Sequence, residues 1–341
     1  MTLKVFIGEY VCGGGFADTP INELPVSLRR EGEAMLRALA HDVSEFAETV
    51  VVLDERFELQ CDKCHKHPFE AGKPVWAQWL QAAQQCDYAL IIAPEIDGTL
   101  AKGVSVLRSR GIDVVASSGD FLRVASDKLQ TAQLFHAAGV PHPAYLSTDD
   151  NRLLDELQDL PKYVVKPRDG CGTTEIATFS DFASAHSALT PTDILQGWVP
   201  GRSISVSLIS TGNTQVFLPA VSQSINDNSC QYTGGCGPLD DDAQRRAAAL
   251  AARAIAAMPP TPRGFVGLDL ILGDQPSDDC VIEINARLTT SYVGLREMIK
   301  GNLAARLFDL ESGPVSCKYG EDSVRWTSDG CVSIDKVAKA G

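Results

Sequence analysis

The sequence predicts an α/β protein that begins with a small doubly wound parallel sheet. The first observation is a regular alternation of short apolar runs and amphipathic helical segments over residues 3–116. The second is a pair of apolar runs, 267–272 and 279–285, that carry isolated acids and are joined by a polar turn. The alternation favours parallel strands with helices between them, and the pair favours a β-hairpin.

The elements of the first part are expected in a fixed order. Strands are predicted over 3–7, 50–53, 88–93 and 112–116, and helices over 25–43, 75–86 and 100–110. Ligands of doubly wound sheets bind at the carboxyl ends of the strands, where Glu9, Asp54 and Glu95 fall. Two interpretations of these acids stay open: they could hold a substrate amine, or they could be helix caps and solvated loop charges.

A run of three glycines, Gly13–Gly15, follows the first strand. It lacks the Gly-x-Gly-x-x-Gly pattern that opens a dinucleotide-binding helix, so a plain turn is favoured over a phosphate loop.

Composition and charge exclude several partner classes. A chain of 341 residues can fold as two or three domains with a sizeable core. Its 30 Lys and Arg face 44 Asp and Glu, a net charge of −14, which argues against nucleic acid or an anionic membrane as partner. No apolar run reaches the ~20 residues of a membrane span, and no signal-peptide pattern opens the chain, so a cytoplasmic location is expected.

The ten cysteines are expected to be free thiols, without disulfides, in a reducing compartment. Cys61 and Cys64, followed by His65 and His67, match the attachment motif of c-type haem, which is set aside because no export signal or axial partner is found. Two interpretations remain: a small zinc site on these four residues, or a surface loop with free thiols. The loop is favoured because a second ligand pair is missing.

The hairpin at 267–285 carries three oxygen ligands. Pairing its strands would bring Asp269 close to Glu283 and Asn285, a set of donors that Mg²⁺ accepts when nucleotide phosphates supply the rest. Strict alternation would place Val281, Glu283 and Asn285 on one face, with the intervening isoleucines on the other. Arg287, two residues further on, could reach the same charge centre.

Two lysines and a glycine-rich turn form the candidate phosphate site. Lys128 lies in the first turn of a helix expected from Ser126, where its charge opposes the helix dipole; it either reaches a phosphate or extends into solvent. A strand delivers Lys166 to a turn whose backbone N–H groups could bind an anion, unless the segment is an ordinary hairpin. The turn residues considered are Gly170, Gly172, Thr173 and Thr174.

The remaining segments complete the expected layout. An apolar linker over 194–201 could bring backbone groups to an adenine edge, and the long glycine-rich loop 223–242 is expected to act as a lid. A helix is predicted over 243–258 and a hairpin around 328–330. No catalytic role is expected for the tail beyond residue 310.

Taken together, these features resemble the ATP-grasp ligase superfamily over about residues 112–300. The resemblance implies that the lysines and the glycine loop hold nucleotide phosphates, that Asp269, Glu283 and Asn285 bind Mg²⁺, and that Arg287 and Lys166 are catalytic. It also implies adenine contacts from Gln196, Gly197, Trp198 and Val199. Ser203 stands where many members have an acid for the ribose.

The resemblance also implies the architecture. An ATP-grasp fold is expected, with an N-terminal doubly wound domain (1–118) and two α+β subdomains (119–200 and 201–310) that clasp ATP, followed by a tail (311–341). The expected cofactors are ATP and one or two Mg²⁺ ions, with Mn²⁺ as a substitute. Small-molecule substrates are the expected partners, and a homodimer is expected by analogy.

Within the superfamily, the run 283–295, together with 9–15 and 28–35, looks like the tyramine:glutamate ligase group. This resemblance implies an amide-forming reaction through an acyl phosphate, joining glutamate to tyramine, tyrosine or a related amine in methanofuran or methylofuran biosynthesis. Two alternatives stay open: another amino-acid or peptide ligase of the same type, and a nucleotide-binding regulatory protein without turnover.

Overall fold

The structure is a computed structural model that describes residues 2–170, 176–212, 214–226, 230–320 and 322–336. Within these ranges the strands form three sheets of five, four and eight strands, with ten α-helices packed around them. Gly172, Thr173 and Thr174, all predicted to contact phosphate, lie outside the described residues.

The first sheet is wholly parallel, with strand order β3-β2-β1-β4-β5. Its strands are β1 (Lys4–Glu9), β2 (Glu48–Leu53), β3 (Cys64–Pro68), β4 (Tyr88–Ile92) and β5 (Asp113–Val114). Its helices are α1 (Val26–Val43), α2 (Val75–Ala83) and α3 (Thr99–Arg108). The doubly wound sheet expected from the alternation is confirmed, and β3 is an additional edge strand.

The three glycines after β1 make room for aromatic side chains. The indole nitrogen of Trp79 on α2 donates a hydrogen bond of 2.9 Å to the carbonyl of Gly13. Gly14 has a φ of +93°, and a Cβ there would lie 2.2 Å from the ring of Phe69. The run is therefore a packed turn between β1 and α1.

The second sheet is antiparallel, with strand order β6-β9-β7-β8. Its strands are β6 (Tyr145–Leu146), β7 (Tyr163–Pro167), β8 (Ala177–Phe179) and β9 (Asp193–Gly197). The surrounding helices are α4 (Gly119–Ala125), α5 (Lys128–Ala138), α6 (Leu154–Leu157) and α7 (Phe182–Ala188). Asp127 caps α5 by accepting hydrogen bonds from the backbone of Leu129 and Gln130, so the predicted helix start is confirmed.

The third sheet is the largest, with strand order β15-β14-β10-β12-β13-β16-β17 and β11 paired to β10. Its first strands are β10 (Arg202–Ser210), β11 (Gln215–Phe217), β12 (Val221–Ile225) and β13 (Tyr232–Gly237). Its later strands are β14 (Gly264–Leu272), β15 (Cys280–Asn285), β16 (Ser323–Thr327) and β17 (Val332–Asp335). The helices of this part are α8 (Asp241–Ala257), α9 (Ser291–Met298) and α10 (Leu303–Leu307).

The segment 223–242 is not the lid loop that its glycines suggest. Most of its described residues belong to β12 and β13, which pair as an antiparallel hairpin inside the third sheet. The glycines serve close packing, because a Cβ on Gly235 would lie 2.6 Å from the ring of Trp326, and one on Gly234 would lie 2.1 Å from the Trp326 carbonyl oxygen. The expectation of a lid is therefore wrong for the part of the segment that the structure describes.

The predicted C-terminal hairpin is confirmed as β16 and β17, which extend the third sheet beyond β13. Trp326 of β16 is almost completely buried and packs against Gly294 of α9. The three predicted boundaries between the four segments stay a prediction. No helix in the described ranges is long and apolar enough to cross a membrane.

Candidate active site

A cavity of about 560 Å³ lies between the second and third sheets and reaches α1 of the first part. It collects every described residue that was predicted to contact ATP, Mg²⁺ or the transferring phosphoryl group, although the chain separates them by as many as 159 positions. These residues are Lys128, Lys166, Gly170, Gln196, Gly197, Trp198, Val199, Ser203, Asp269, Glu283, Asn285 and Arg287.

The hairpin of β14 and β15 places the three predicted oxygen ligands together. Asp269 pairs directly with Glu283, and Gly267 pairs with Asn285. The side-chain nitrogen of Asn285 donates to Asp269 over 3.0 Å, which places the amide against that carboxylate. The predicted proximity of these residues is confirmed, while their role as ligands stays a prediction.

The expected alternation of β15 is interrupted. A register shift follows Asp269, so that Leu270 pairs with Val281 and Ile282 has no partner in the ladder. Ile282 then faces the cavity beside Glu283, whereas Val281 joins Ile284 in the core. The expectation that Val281 shares the chemical face of the strand is wrong because the bulge shifts the alternation by one residue.

The pKa values of the two hairpin carboxylates shift in opposite directions. Burial, together with the charge of Glu283, raises the pKa of Asp269. Burial also works against the charge of Glu283, but nearby Lys128, Lys166 and Arg287 hold its pKa below the usual value. Hard oxygen donors that meet in a half-buried corner match the coordination chemistry of a divalent cation, so the donor set fits Mg²⁺.

Two lysines bring positive charge to the same corner. The ammonium of Lys128, at the first position of α5, donates to the carbonyl of Gly170 over 2.6 Å and lies 3.7 Å from Glu283. The ammonium of Lys166, on β7, lies 3.9 Å from the same carboxylate oxygen. Burial lowers the pKa of Lys166, since removal from water disfavours its charged form. Such a pair of cations beside a backbone turn can bind phosphate oxygens.

Arg287 connects this corner to the first sheet. Its Nε donates to Glu95 over 2.8 Å, and its Nη2 approaches the Asn285 oxygen at 3.5 Å. Of the three acids predicted at the carboxyl ends of the strands, Glu95 alone has this link. Glu9 instead accepts a backbone hydrogen bond from Cys12, and Asp54 is paired with Arg56. None of the three lines the cavity.

The linker after β9 forms a different wall of the cavity. Gln196 and Gly197 end β9, and the backbone N–H of Trp198 donates to the carbonyl of Lys162 over 2.9 Å. The Lys162 ammonium lies 3.6 Å from the centroid of the Trp198 ring, a cation–π contact that holds the indole in place. Ser203 and Ser205 on β10 continue the lining, so a neutral side chain stands at the predicted ribose position.

Several lining residues were not predicted from the sequence. Gln223 donates to Asp269 over 2.8 Å, and the Tyr232 hydroxyl accepts from the Trp326 indole over 2.8 Å. Glu31 of α1 accepts a hydrogen bond of 3.3 Å from the Thr290 hydroxyl. No local motif marks these residues, because they reach the cavity through the pairing of distant elements.

The Cys61–His67 segment lies outside this cavity. Cys61 and Cys64 form a disulfide, with their Cα atoms 5.5 Å apart, so the expectation that all cysteines are free thiols is wrong at this pair. No thiolate remains there for zinc. His65 and His67 belong to β3, which pairs in parallel with β2, so the segment is also not the loop that we favoured.

Comparison with known families identifies two matching domains. Residues 125–291 match the ATP-grasp domain family, and residues 47–120 match the pre ATP-grasp 3 domain family.

Among characterised proteins, the chain is similar to the tyramine–L-glutamate ligase of Methanocaldococcus fervens. The two are 25% identical over 293 residues, which cover 84% of this chain and 88% of the relative. The corresponding ligase of Methanocaldococcus jannaschii is 24% identical and covers 84% of this chain and 83% of the relative. A D-alanine–D-alanine ligase of Bordetella avium is 27% identical over 40% of this chain and 44% of the relative.

Solved structures show the same fold. An ATP-grasp superfamily protein from Archaeoglobus fulgidus superposes with a TM-score of 0.70 at 24% identity, covering 98% of both chains. The N5-carboxyaminoimidazole synthetase of Staphylococcus aureus in complex with ADP superposes with a TM-score of 0.68 at 13% identity, covering 95% of this chain and 81% of that one.

Proposed function

The chain belongs to the ATP-grasp superfamily of ligases, and we propose that it joins glutamate to an arylalkyl amine such as tyramine through an acyl phosphate. The observation that carries this proposal is the meeting of Asp269, Glu283 and Asn285 with two lysines in one cavity. Carboxylates and an amide suit a cation, and the lysines suit the phosphates that the cation would accompany.

The cavity accommodates ATP in one orientation under this proposal. The backbone of Gln196–Val199 would bind the adenine, Ser203 would lie near the ribose, and Lys128 and Lys166 would hold the phosphates. Gly170 would lie beside the phosphates, because its carbonyl accepts a hydrogen bond from the Lys128 ammonium.

Asp269, Glu283 and Asn285 would hold Mg²⁺. Both Asp269 oxygens now accept from amide nitrogens, those of Gln223 and Asn285, and a half-turn of the Asn285 amide would present its oxygen instead. When bound, the ion neutralises the charge that develops on the transferred phosphoryl group.

The reaction proceeds in two displacements. A carboxylate oxygen of the first substrate attacks the γ-phosphorus of ATP, the bond to the β-phosphate oxygen breaks, and ADP leaves. The nitrogen of the neutral amine then attacks the acyl carbon. The C–O bond to phosphate breaks, inorganic phosphate leaves, and the nitrogen releases one proton. Arg287 and the lysines bind the oxygens on which negative charge accumulates.

The choice of substrates rests on relatives. The two methanogen ligases that span most of this chain act on tyramine and L-glutamate, which supports glutamate as the acid and a primary amine as the nucleophile. Tyrosine and related furan-precursor amines belong to the same chemical class, and a role in methanofuran or methylofuran biosynthesis follows from this assignment. The D-alanine–D-alanine ligase relative favours a second candidate, an amino-acid ligase that uses the same cavity.

The proposal is tested by ADP release from Mg-ATP and glutamate, with and without tyramine, tyrosine and furan-methylamine compounds. We expect amine-dependent ADP release that falls by roughly 100-fold or more in Glu283→Gln, because the amide removes a charge from the phosphoryl-transfer site. Asp274→Asn, on the exposed turn of the same hairpin, should keep wild-type activity. ADP release with D-alanine alone would favour the second candidate, and release independent of any amine would contradict ligation.

A further inference from the structure

One wall of the cavity carries no residue that the proposed nucleotide and metal contacts use. It is formed by Glu31 on α1 and by the segment Thr289–Ser291 at the start of α9. The Thr290 hydroxyl donates to a Glu31 oxygen over 3.3 Å. The Thr289 hydroxyl is buried and has no hydrogen-bond partner in the described part of the chain. This oxygen has almost no accessible surface and lies against Gly267, so the acceptor that the wall offers to a polar ligand is the Glu31 carboxylate.

The charge around this wall is unbalanced. Glu9, Glu31 and Glu95 all lie near Arg287, which forms an ion pair with Glu95 and attracts the other two carboxylates. Burial raises the pKa of Glu9 and of Glu31, and Arg287 opposes this change in both. Arg287 is therefore a cation whose influence these three acids share. A buried carboxylate is costly unless a cation or several hydrogen bonds accompany it.

Among these acids, Glu31 is the one that faces the cavity. Glu9 is engaged by the backbone N–H of Cys12 and packs on Gly32, where a Cβ would lie 2.9 Å from its oxygen. Glu95 is held by Arg287. Glu31 has only the long bond from Thr290 among the hydrogen bonds of the described residues, and its carboxylate contributes to the cavity surface. The wall thus offers an anionic oxygen and a neighbouring hydroxyl to a donor-rich cation.

We propose that Glu31 binds the primary ammonium group of a substrate, with the hydroxyl of Thr290 as a further acceptor. A primary ammonium has three N–H donors and no acceptor, which matches this set. The inference rests on the proposed function, because it assumes that the ligands of this cavity include an amine. Two substrates carry the same group: the amine nucleophile, in the protonated form in which it enters, and the amino acid, through its α-ammonium.

The test removes the negative charge of the Glu31 side chain and keeps the shape of that side chain. Glu31→Gln retains an oxygen for the Thr290 hydroxyl, so a purely structural role in anchoring α9 would survive the change. We expect the KM of one ammonium substrate to rise by about 10- to 100-fold, the range for loss of a charge-assisted hydrogen bond, while the KM of ATP stays within about twofold. The substrate whose KM rises identifies the source of the ammonium group.

Two further variants complete the comparison. Glu31→Asp, which keeps the charge at a shorter reach, should recover part of the loss. Glu33→Gln, on the same helix but outside the cavity wall, should leave every KM unchanged.

Binding without turnover separates this inference from the proposed function. Calorimetry with AMP-PNP and Mg²⁺ present should show that tyramine or glutamate binds the wild type, and that Glu31→Gln weakens that binding by a similar factor. Unchanged affinities for both compounds in Glu31→Gln, or no binding of either to the wild type, would overturn the inference. Wild-type binding without ADP release would instead contradict the ligase assignment and leave the ammonium site in place.

Discussion

Arg287 and Glu95 are 192 positions apart in the chain and are joined by an ion pair of 2.8 Å. Glu95 follows β4 of the first sheet, and Arg287 follows β15 of the third. Both side chains are largely buried, which strengthens their interaction and limits their alternative conformations. The first sheet thereby sets the orientation of the Arg287 guanidinium, which we propose binds the transferring phosphoryl group. Glu95 is a positioning residue in this account, since it acts through Arg287.

Glu95→Gln should disturb the direction of Arg287 without touching the nucleotide contacts. We expect kcat to fall by roughly 10- to 100-fold, because a small misplacement of a catalytic group has effects of this size, while the KM of ATP changes less than about threefold. Steady-state kinetics measure both values, and Glu95→Asp should recover part of kcat. An unchanged kcat in Glu95→Gln would show that Arg287 is positioned by other contacts.

At the residue scale, the sequence predicted the part of the site that local patterns determine. Asp269, Glu283 and Asn285 could be grouped because strand pairing brings such residues together, and the register confirms it. Glu31 could not be assigned to the cavity, because it resembles any other acid on a helix surface. Glu95 could not be assigned to Arg287, because it resembles any other acid at the end of a strand. Their roles depend on burial, which arises only when separate elements pack.

The α5 helix carries Lys128 into the cavity, and its start depends on one side chain. Asp127 caps the helix and also pairs with Arg168, which follows β7. Burial opposes the charge of Asp127, but Arg168 and Gln130 hold its pKa below the usual value. A single carboxylate therefore fixes the start of α5 and its position relative to β7, the two elements that carry Lys128 and Lys166.

Asp127→Ala should lower the free energy of unfolding by about 1–2 kcal/mol near pH 7, the cost of losing a helix cap. The pKa of Asp127 is lower in the folded state than in the unfolded state. The stabilisation by its carboxylate is therefore complete at pH values above the unfolded-state pKa of about 3.9, and it is lost as the pH falls through the folded-state pKa. Urea unfolding between pH 7 and pH 3 should show the wild type and the variant converging at low pH.

Asp127→Asn is the matched control, since an amide also caps helices while losing the charge. It should be less destabilising than Asp127→Ala at pH 7. A difference between wild type and Asp127→Ala that stays constant down to pH 3 would contradict the assigned role of the carboxylate.

At the element scale, the sequence misled where packing overrides composition. Gly234 and Gly235 suggested a loop, yet they belong to β13, which pairs with β16. They are glycines because Trp326 and the backbone of β16 approach them too closely for a side chain. β3 escaped prediction because its side chains are mostly exposed and polar, so no alternation is visible. The bulge in β15 has no sequence signal of its own.

A buried polar cluster joins α1 of the first part of the molecule to α9, which packs on the third sheet. Asp42 of α1 accepts hydrogen bonds from Arg296 and from the Tyr292 hydroxyl of α9, the latter at 2.6 Å. Asp42 is 5% exposed, so these contacts satisfy a charge that water does not reach. The same helix presents Glu31 to the cavity, and the cluster therefore holds the proposed ammonium site in place.

Asp42→Ala should destabilise the whole chain by about 3 kcal/mol, because it removes one of the two carboxylates that pair with Arg296 and leaves the buried Tyr292 hydroxyl without its acceptor. Urea unfolding followed by far-UV circular dichroism measures this loss. Glu33→Ala on the same helix should cost less than about 1 kcal/mol, since it removes no such partner. A small effect of Asp42→Ala would mean that α1 and α9 are held together by apolar packing alone.

At the scale of the molecule, the parallel sheet of the first part followed from the alternation of strands and helices. The arrangement of the other two sheets around a nucleotide-sized cavity did not follow from periodicity. It was expected only through the resemblance of combined motifs, because periodicity within a strand does not tell which distant strands pair or how the sheets pack. The matching families and the solved structures confirm that fold.

The central claim, that a substrate carboxylate is phosphorylated and then joined to an amine, is tested most directly by oxygen transfer. Glutamate labelled with ¹⁸O in both oxygens of its γ-carboxyl is incubated with Mg-ATP, the amine and the protein, and the inorganic phosphate is analysed by mass spectrometry. The account predicts one ¹⁸O atom in each phosphate, because the attacking carboxylate oxygen leaves with phosphorus. Unlabelled phosphate accompanying ADP would show that water attacks ATP, and would contradict the proposed ligase mechanism.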